Sequence, residues 1–150
     1  MIRFIHKNIE ITGISTAVPV TEKRTDDFTS QFGEENVKKF KNMTGVEKIQ
    51  ISKYEQTASD LGFIASKHLL EKKAADPSSI GALIFVTQTP DYKIPSTSCV
   101  LHKRLGLSKD CVVFDINLGC SGYVYGLQTI CALMRSEEHT SELQSRQVKS

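Results

Sequence analysis

Between Val112 and Leu127 the chain reads VVFDINLGCSGYVYGL, and this stretch restricts the fold more than any other. Val112, Val113, Phe114 and Ile116 form a β-branched and aromatic run that predicts a strand, and Leu118-Gly119 ends it. Beyond the turn, Tyr123, Leu127, Ile130 and Met134 recur at helical spacing. The reading is strand, sharp turn, helix, with Cys120 on the turn between Gly119 and Gly122. A thiol there faces the positive end of a helix, the polarity that favours thiolate over thiol. This is the layout of a nucleophile elbow with sulfur in place of a serine hydroxyl.

A chain of 150 residues can enclose one core. Its 39% hydrophobic and 24% charged residues are ordinary globular values, and a net charge of +2 argues against a nucleic-acid partner. The longest apolar run, Ala82 to Val86, is far short of the ~20 residues of a membrane span, and the N-terminus lacks the apolar core of a signal peptide. A cytoplasmic location and no membrane partner are therefore expected. Cys99, Cys111, Cys120 and Cys131 form no ligand-spaced pair, so no metal site is expected and free thiols are. Cys111, Cys131 and Cys99 read as small buried hydrophobes.

Taken in order, Ile9 to Ile14 alternates and predicts a first strand, with Gly13 allowing close approach. Thr25 with Asp26 and Asp27 predicts a helix start, Phe28 and Phe32 sharing one face. A second helix begins at Glu34-Glu35, carries Lys38, Lys39 and Lys41, and closes at Asn42 to Gly45. Val46 to Ser52 alternates as a strand or hairpin arm. Thr57 to Asp60 forms a capping box ahead of the stripe Leu61, Ile64, Ala65 and Leu69, with His68 beside it as a surface residue. Ala82 to Thr87 is continuously apolar and predicts a strand covered on both faces. Ser96 caps a helix to about Leu105, where Gly106 fits the C-terminal cap. Strand, helix, strand, helix from residue 80 onward implies a layered α-β-α fold with a mostly parallel sheet.

At Arg135 the composition changes abruptly. The eleven residues RSEEHTSELQS resemble the translation of a sequencing-adapter oligonucleotide. Residues 1–134 are accordingly expected to be an incomplete domain and residues 135–150 a non-native tail.

DINLGCSGYVYGL resembles the active-site cysteine segment of the ketoacyl-acyl-carrier-protein synthase III family, thiolase-fold condensing enzymes of fatty-acid and related biosynthesis. ITGISTAVP, MTGVEKIQIS and LIFVTQTPDYKIPSTSCVLHKRLG match other family segments in the same order. The resemblance runs from about Ile9 to Met134, less than half of a full member, and implies a truncated N-terminal half of an α/β thiolase-like fold. It implies that Cys120 accepts an acyl group from a thioester, its N–H contributing to an oxyanion hole, and that a malonyl thioester then condenses with loss of carbon dioxide. Gly119 and Gly122 would keep the approach clear. Ile94 matches an apolar position that lines the partner's acyl pocket across a homodimer interface, or is a loop residue packed beneath Pro95.

Acyl carrier protein and acyl-CoA are the implied partners, as substrates, and no cofactor is implied. Two departures stand out. The family's tryptophan and arginine that clasp coenzyme A are replaced by Lys39-Phe40-Lys41-Asn42-Met43, which makes a carrier-bound or other acyl donor plausible. Lys38, Lys39, Lys41 and Lys48 either meet such a donor or form a solvated basic face. The histidine and asparagine of decarboxylation are not found, since His6, His68, His102 and His139 lack the matching context. The chain alone is expected to be inactive, with apolar surface exposed. Other readings are a hydroxymethylglutaryl-CoA synthase-like acyltransferase and a non-catalytic thiolase-like scaffold.

Overall fold

A computed structural model gives the backbone of residues 5–147 and the side chains of residues 5–135. Apart from Arg135, the expected tail, with His139, therefore lies outside the residues whose side chains are described.

The elbow stretch folds as its pattern requires. Strand β4, Val112–Ile116, leads through a turn into helix α5, Gly122–Gln147. Strand β3, Ala82–Val86, pairs parallel with β4 in the register Ala82 to Val112 through Val86 to Ile116. Helix α4, Thr97–Leu105, connects them and ends at Gly106, whose φ of 66° is the left-handed conformation a glycine accepts without strain. Consecutive strand residues point to opposite faces. Phe85 meets Gly62 of helix α3, Ala58–Lys73, beside Leu101 of α4, whereas Val86 meets Gly122 and Gly126 of α5. Helices therefore cover both faces of the pair, as the apolar run implied, although every residue of β3 is only half-buried. The centre of packing is α4, where Leu101, Thr97 and Ser98 are almost wholly enclosed.

The N-terminal third is arranged differently from its expectation. Ile9 to Ile14 is not a strand. Alternation makes a strand only where a neighbour supplies the ladder, and no described strand pairs with it; Ile11 and Ile14 are 61% and 76% exposed. Gly13 does admit a close neighbour, the Leu69 and Lys73 side chains of α3 rather than backbone. The first strand is instead β1, Thr21–Arg24, antiparallel to β2, Lys48–Ile51.

Thr25 is not a cap. It lies inside a 3-10 turn, Thr25–Phe28, with its hydroxyl donating to the Val46 carbonyl at 2.8 Å, while Asp27 accepts from the Arg24 N–H. Short helix α1, Thr29–Phe32, follows, and the Phe28 and Phe32 rings do meet, tilted, with centroids 6.4 Å apart. Helix α2, Glu34–Thr44, ends at Gly45 in the left-handed region, as its sequence foretold. The capping box of α3 is also present, Thr57 and Asp60 satisfying each other's backbone N–H groups.

Among the described residues no helix is long and apolar enough to cross a membrane. Burial is incomplete throughout. Among the described residues the buried apolar side chains are Val37, Leu101, Leu107 and Cys111 alone.

Candidate active site at the Cys120 turn

Cys120 stands on the turn between β4 and α5, exposed to solvent. The turn closes by the Gly122 N–H donating to the Gly119 carbonyl at 2.8 Å, and the Ser121 carbonyl accepts from Tyr125 in the first turn of α5. Among the described residues neither the Cys120 N–H nor its Sγ is engaged in a hydrogen bond. The other three thiols differ. Burial pushes the Cys111 thiol above its ordinary value, Cys99 Sγ sits 3.2 Å from the Ser96 hydroxyl, and Cys131 is half-buried.

Glycine at the turn has steric reasons. A β-carbon on Gly119 would lie 2.6 Å from Gln88 Oε1, and one on Gly122 would lie 2.7 Å from Val86 Cγ1. Gly122 thus sets α5 down on β3, and Gly119 leaves room for the Gln88 amide. Gln88 belongs to the loop after β3, which begins with the Thr87 N–H donating to the Ile116 carbonyl at 3.1 Å. The chain passes from α4 on one face of the sheet to α5 on the other at this point. Such a crossing, beyond the carboxyl ends of parallel strands, is where sheets of this kind hold ligands.

The far end of the same loop is anchored by a residue that pattern reading overlooked. Ser96 occupies the cap position of α4, but its hydroxyl makes no cap bond to the helix backbone. The Asp115 carboxylate of β4 replaces it, accepting from the Thr97 and Ser98 N–H groups at 2.8 Å each. An acceptor at a helix N-terminus stabilises it by about 1–2 kcal/mol. The signal was present as a lone acidic residue in an otherwise apolar strand.

Ile94 stands on this loop, 94% exposed ahead of a cis Ile94-Pro95 peptide, so it is not packed beneath Pro95. The structure thus gathers Gly119, Cys120 and Gly122 in one turn, with Ile94 exposed on the separate loop between β3 and α4. The described histidines are engaged elsewhere: His6 with Gln128, His68 with Ser15, and His102 with the Ser108 carbonyl. Of the lysines, Lys41 pairs with Asp26 and Lys48 with Glu22, at 2.9 and 2.8 Å. Among the described residues no cluster of His, Cys, Asp or Glu is arranged to hold a metal. A cleft of roughly 710 Å³ between Val20, Tyr54, Phe63 and Arg104 does not include the turn.

No family model matches the chain. A Campylobacter jejuni relative, named provisionally as a 3-oxoacyl-acyl-carrier-protein synthase 3, is 38% identical over 130 residues, 85% of this chain and 37% of the relative. The crystal structure of a 3-oxoacyl-acyl-carrier-protein synthase from Burkholderia xenovorans is 36% identical over 82% of this chain and 36% of that one, with a TM-score of 0.77. The cerulenin-bound structure of OleA from Xanthomonas campestris, 19% identical over 89% of this chain and 40% of that one, shares the fold at a TM-score of 0.78. The chain spans well under half the length of each. Over most of its residues the chain has the thiolase fold and is similar to part of the 3-oxoacyl-acyl-carrier-protein synthase III proteins.

Proposed function

We propose that Cys120 is the acyl acceptor of a condensing acyltransferase of the synthase III type. The observation that carries this reading is the thiol itself, exposed and unbonded on a glycine-flanked turn at the head of α5. Its sulfur would attack the carbonyl carbon of an acyl thioester. The Cys120 N–H would donate to the developing oxyanion, and the donor's carbon–sulfur bond would then break, releasing the donor thiol once protonated.

In the complete protein the second step is loss of carbon dioxide from a malonyl thioester. The resulting enolate attacks the acyl carbon, the Cys120 thiolate leaves, and a β-ketoacyl thioester is formed. In this reading the acid–base and enolate-binding groups come from outside this chain, since His6, His68 and His102 are bonded away from the turn. Acyl carrier protein or acyl-CoA would deliver the acyl group. Lys38 and Lys39, unlike Lys41 and Lys48, have no ion-pair partner among the described residues and are the better-placed contacts for an acidic donor. Ile94, almost fully exposed, would reach the acyl pocket of a partner copy in a homodimer.

Replacing Cys120→Ala in the complete protein tests the proposal. Acyl-enzyme formation and condensation with a malonyl thioester should both fall by about 10⁴-fold or more, as when a nucleophile is removed. Undiminished condensation would rule out Cys120 as the nucleophile. Acetylation followed by condensation with an acetoacetyl rather than a malonyl thioester would instead indicate a hydroxymethylglutaryl-CoA synthase-like reaction. No acylation at all would indicate a scaffold.

A further inference from the structure

The loop from Thr87 to Ser96 is tied at both ends to β4, the strand that delivers Cys120. At its start the Thr87 N–H meets the Ile116 carbonyl and Gln88 lies over Gly119. At its end the Asp115 carboxylate holds the Thr97 and Ser98 N–H groups, and both of these residues are fully buried. Thr97 passes the constraint back into the loop. Its hydroxyl accepts from the Tyr92 N–H at 3.2 Å and lies 3.4 Å from the Tyr92 carbonyl. Asp115 therefore fixes the far end of a loop whose near end, through Gln88, lies against Gly119 of the Cys120 turn, without lying on the turn itself.

We propose that Asp115 is a positioning residue for acyl transfer to Cys120. Through Thr97 and Tyr92 it holds the 87–96 loop as a fixed wall against which the incoming acyl thioester is oriented. The inference rests on the acyl-acceptor reading of Cys120. Its logic is that of orientation: a reactant held by a wall displaced by an ångström loses rate although the nucleophile is unchanged. Asp115→Asn keeps shape and volume, but turns one of the two acceptor oxygens into an N–H donor facing the helix N–H groups. Thr97→Val cuts the link to Tyr92 and leaves Asp115 in place.

The test compares two reactions of the same thiol in the complete protein, resolved to Cys120 by peptide mass spectrometry. Octanoyl-N-acetylcysteamine needs the wall, whereas iodoacetamide is small enough to need none. In both variants octanoyl transfer should fall about tenfold or more, while iodoacetamide alkylation should stay within about twofold of wild type. Unchanged octanoyl transfer in Asp115→Asn overturns the proposal. So does a parallel fall in both reactions, which would mark Asp115 as merely structural. Should Asp115→Asn fail to fold, Thr97→Val decides alone, and normal octanoyl transfer by it is equally fatal. A wild-type protein that is alkylated but never acylated refutes the acyl-acceptor reading, and this proposal with it, and is told apart from the other failures by that control.

Discussion

Asp60 shows how much one carboxylate does at the start of α3. Its carboxyl is held below the usual range, first by the Thr57 N–H and then by the Arg104 guanidinium at 2.8 Å, which also lies over the Phe63 ring at 4.3 Å. A carboxyl depressed on folding contributes stability that is present above its unfolded value, near 3.9, and is lost as pH falls through the folded one. Wild type should therefore be more stable than Asp60→Asn near neutrality, the two converging as the solution is acidified below about pH 4. Thermal unfolding of the complete protein across that range checks this, and a constant difference down to the lowest pH would contradict it. This cap was legible in the sequence because Thr57 and Asp60 are three residues apart. The Arg104 contact was not, because its partner lies 44 residues away. The same distinction separates Cys120, visible from its flanking glycines, from Asp115, whose role depends on where α4 comes to rest.

Among the elements, α5 depends on two glycines straddling one valine. β-Carbons on Gly122 and Gly126 would fall 2.7 and 2.9 Å from the two methyls of Val86. On an open helix Gly126→Ala would stabilise by roughly 1 kcal/mol. Here overpacking against Val86 should reverse the sign and cost about 1–3 kcal/mol. The Gly126→Ala, Val86→Ala double variant should recover part of that loss. Urea midpoints of the complete protein measure it, and a stabilised single variant would show that α5 does not rest on Val86 as described.

Helices α2, α3 and α4 and strands β3 and β4 could be read from caps, glycine stops and apolar runs, which are local signals. The Ile9 to Ile14 strand could not be judged that way, since a strand exists only with a neighbour. Thr25 misled for a related reason: its hydroxyl serves Val46, on a segment that folding brings to it.

At the scale of the molecule, much apolar surface is exposed among the described residues. Ile14, Val18, Val20, Met43, Tyr54, Tyr123 and Val124 are all more than 60% exposed, and a cleft of roughly 550 Å³ lies between β3 and α5, reaching Leu118 and Gly119. Patches of this extent call for a covering surface. The 150-residue chain expressed alone should self-associate and bind a hydrophobic dye, and a dye-silent monomer with cooperative unfolding would contradict that. The central claim, however, concerns one sulfur. Incubating the complete protein with an acyl thioester and mapping the label among Cys99, Cys111, Cys120 and Cys131 tests it most directly. The account predicts acyl label on Cys120 alone. Label on another cysteine, or on none, would contradict it.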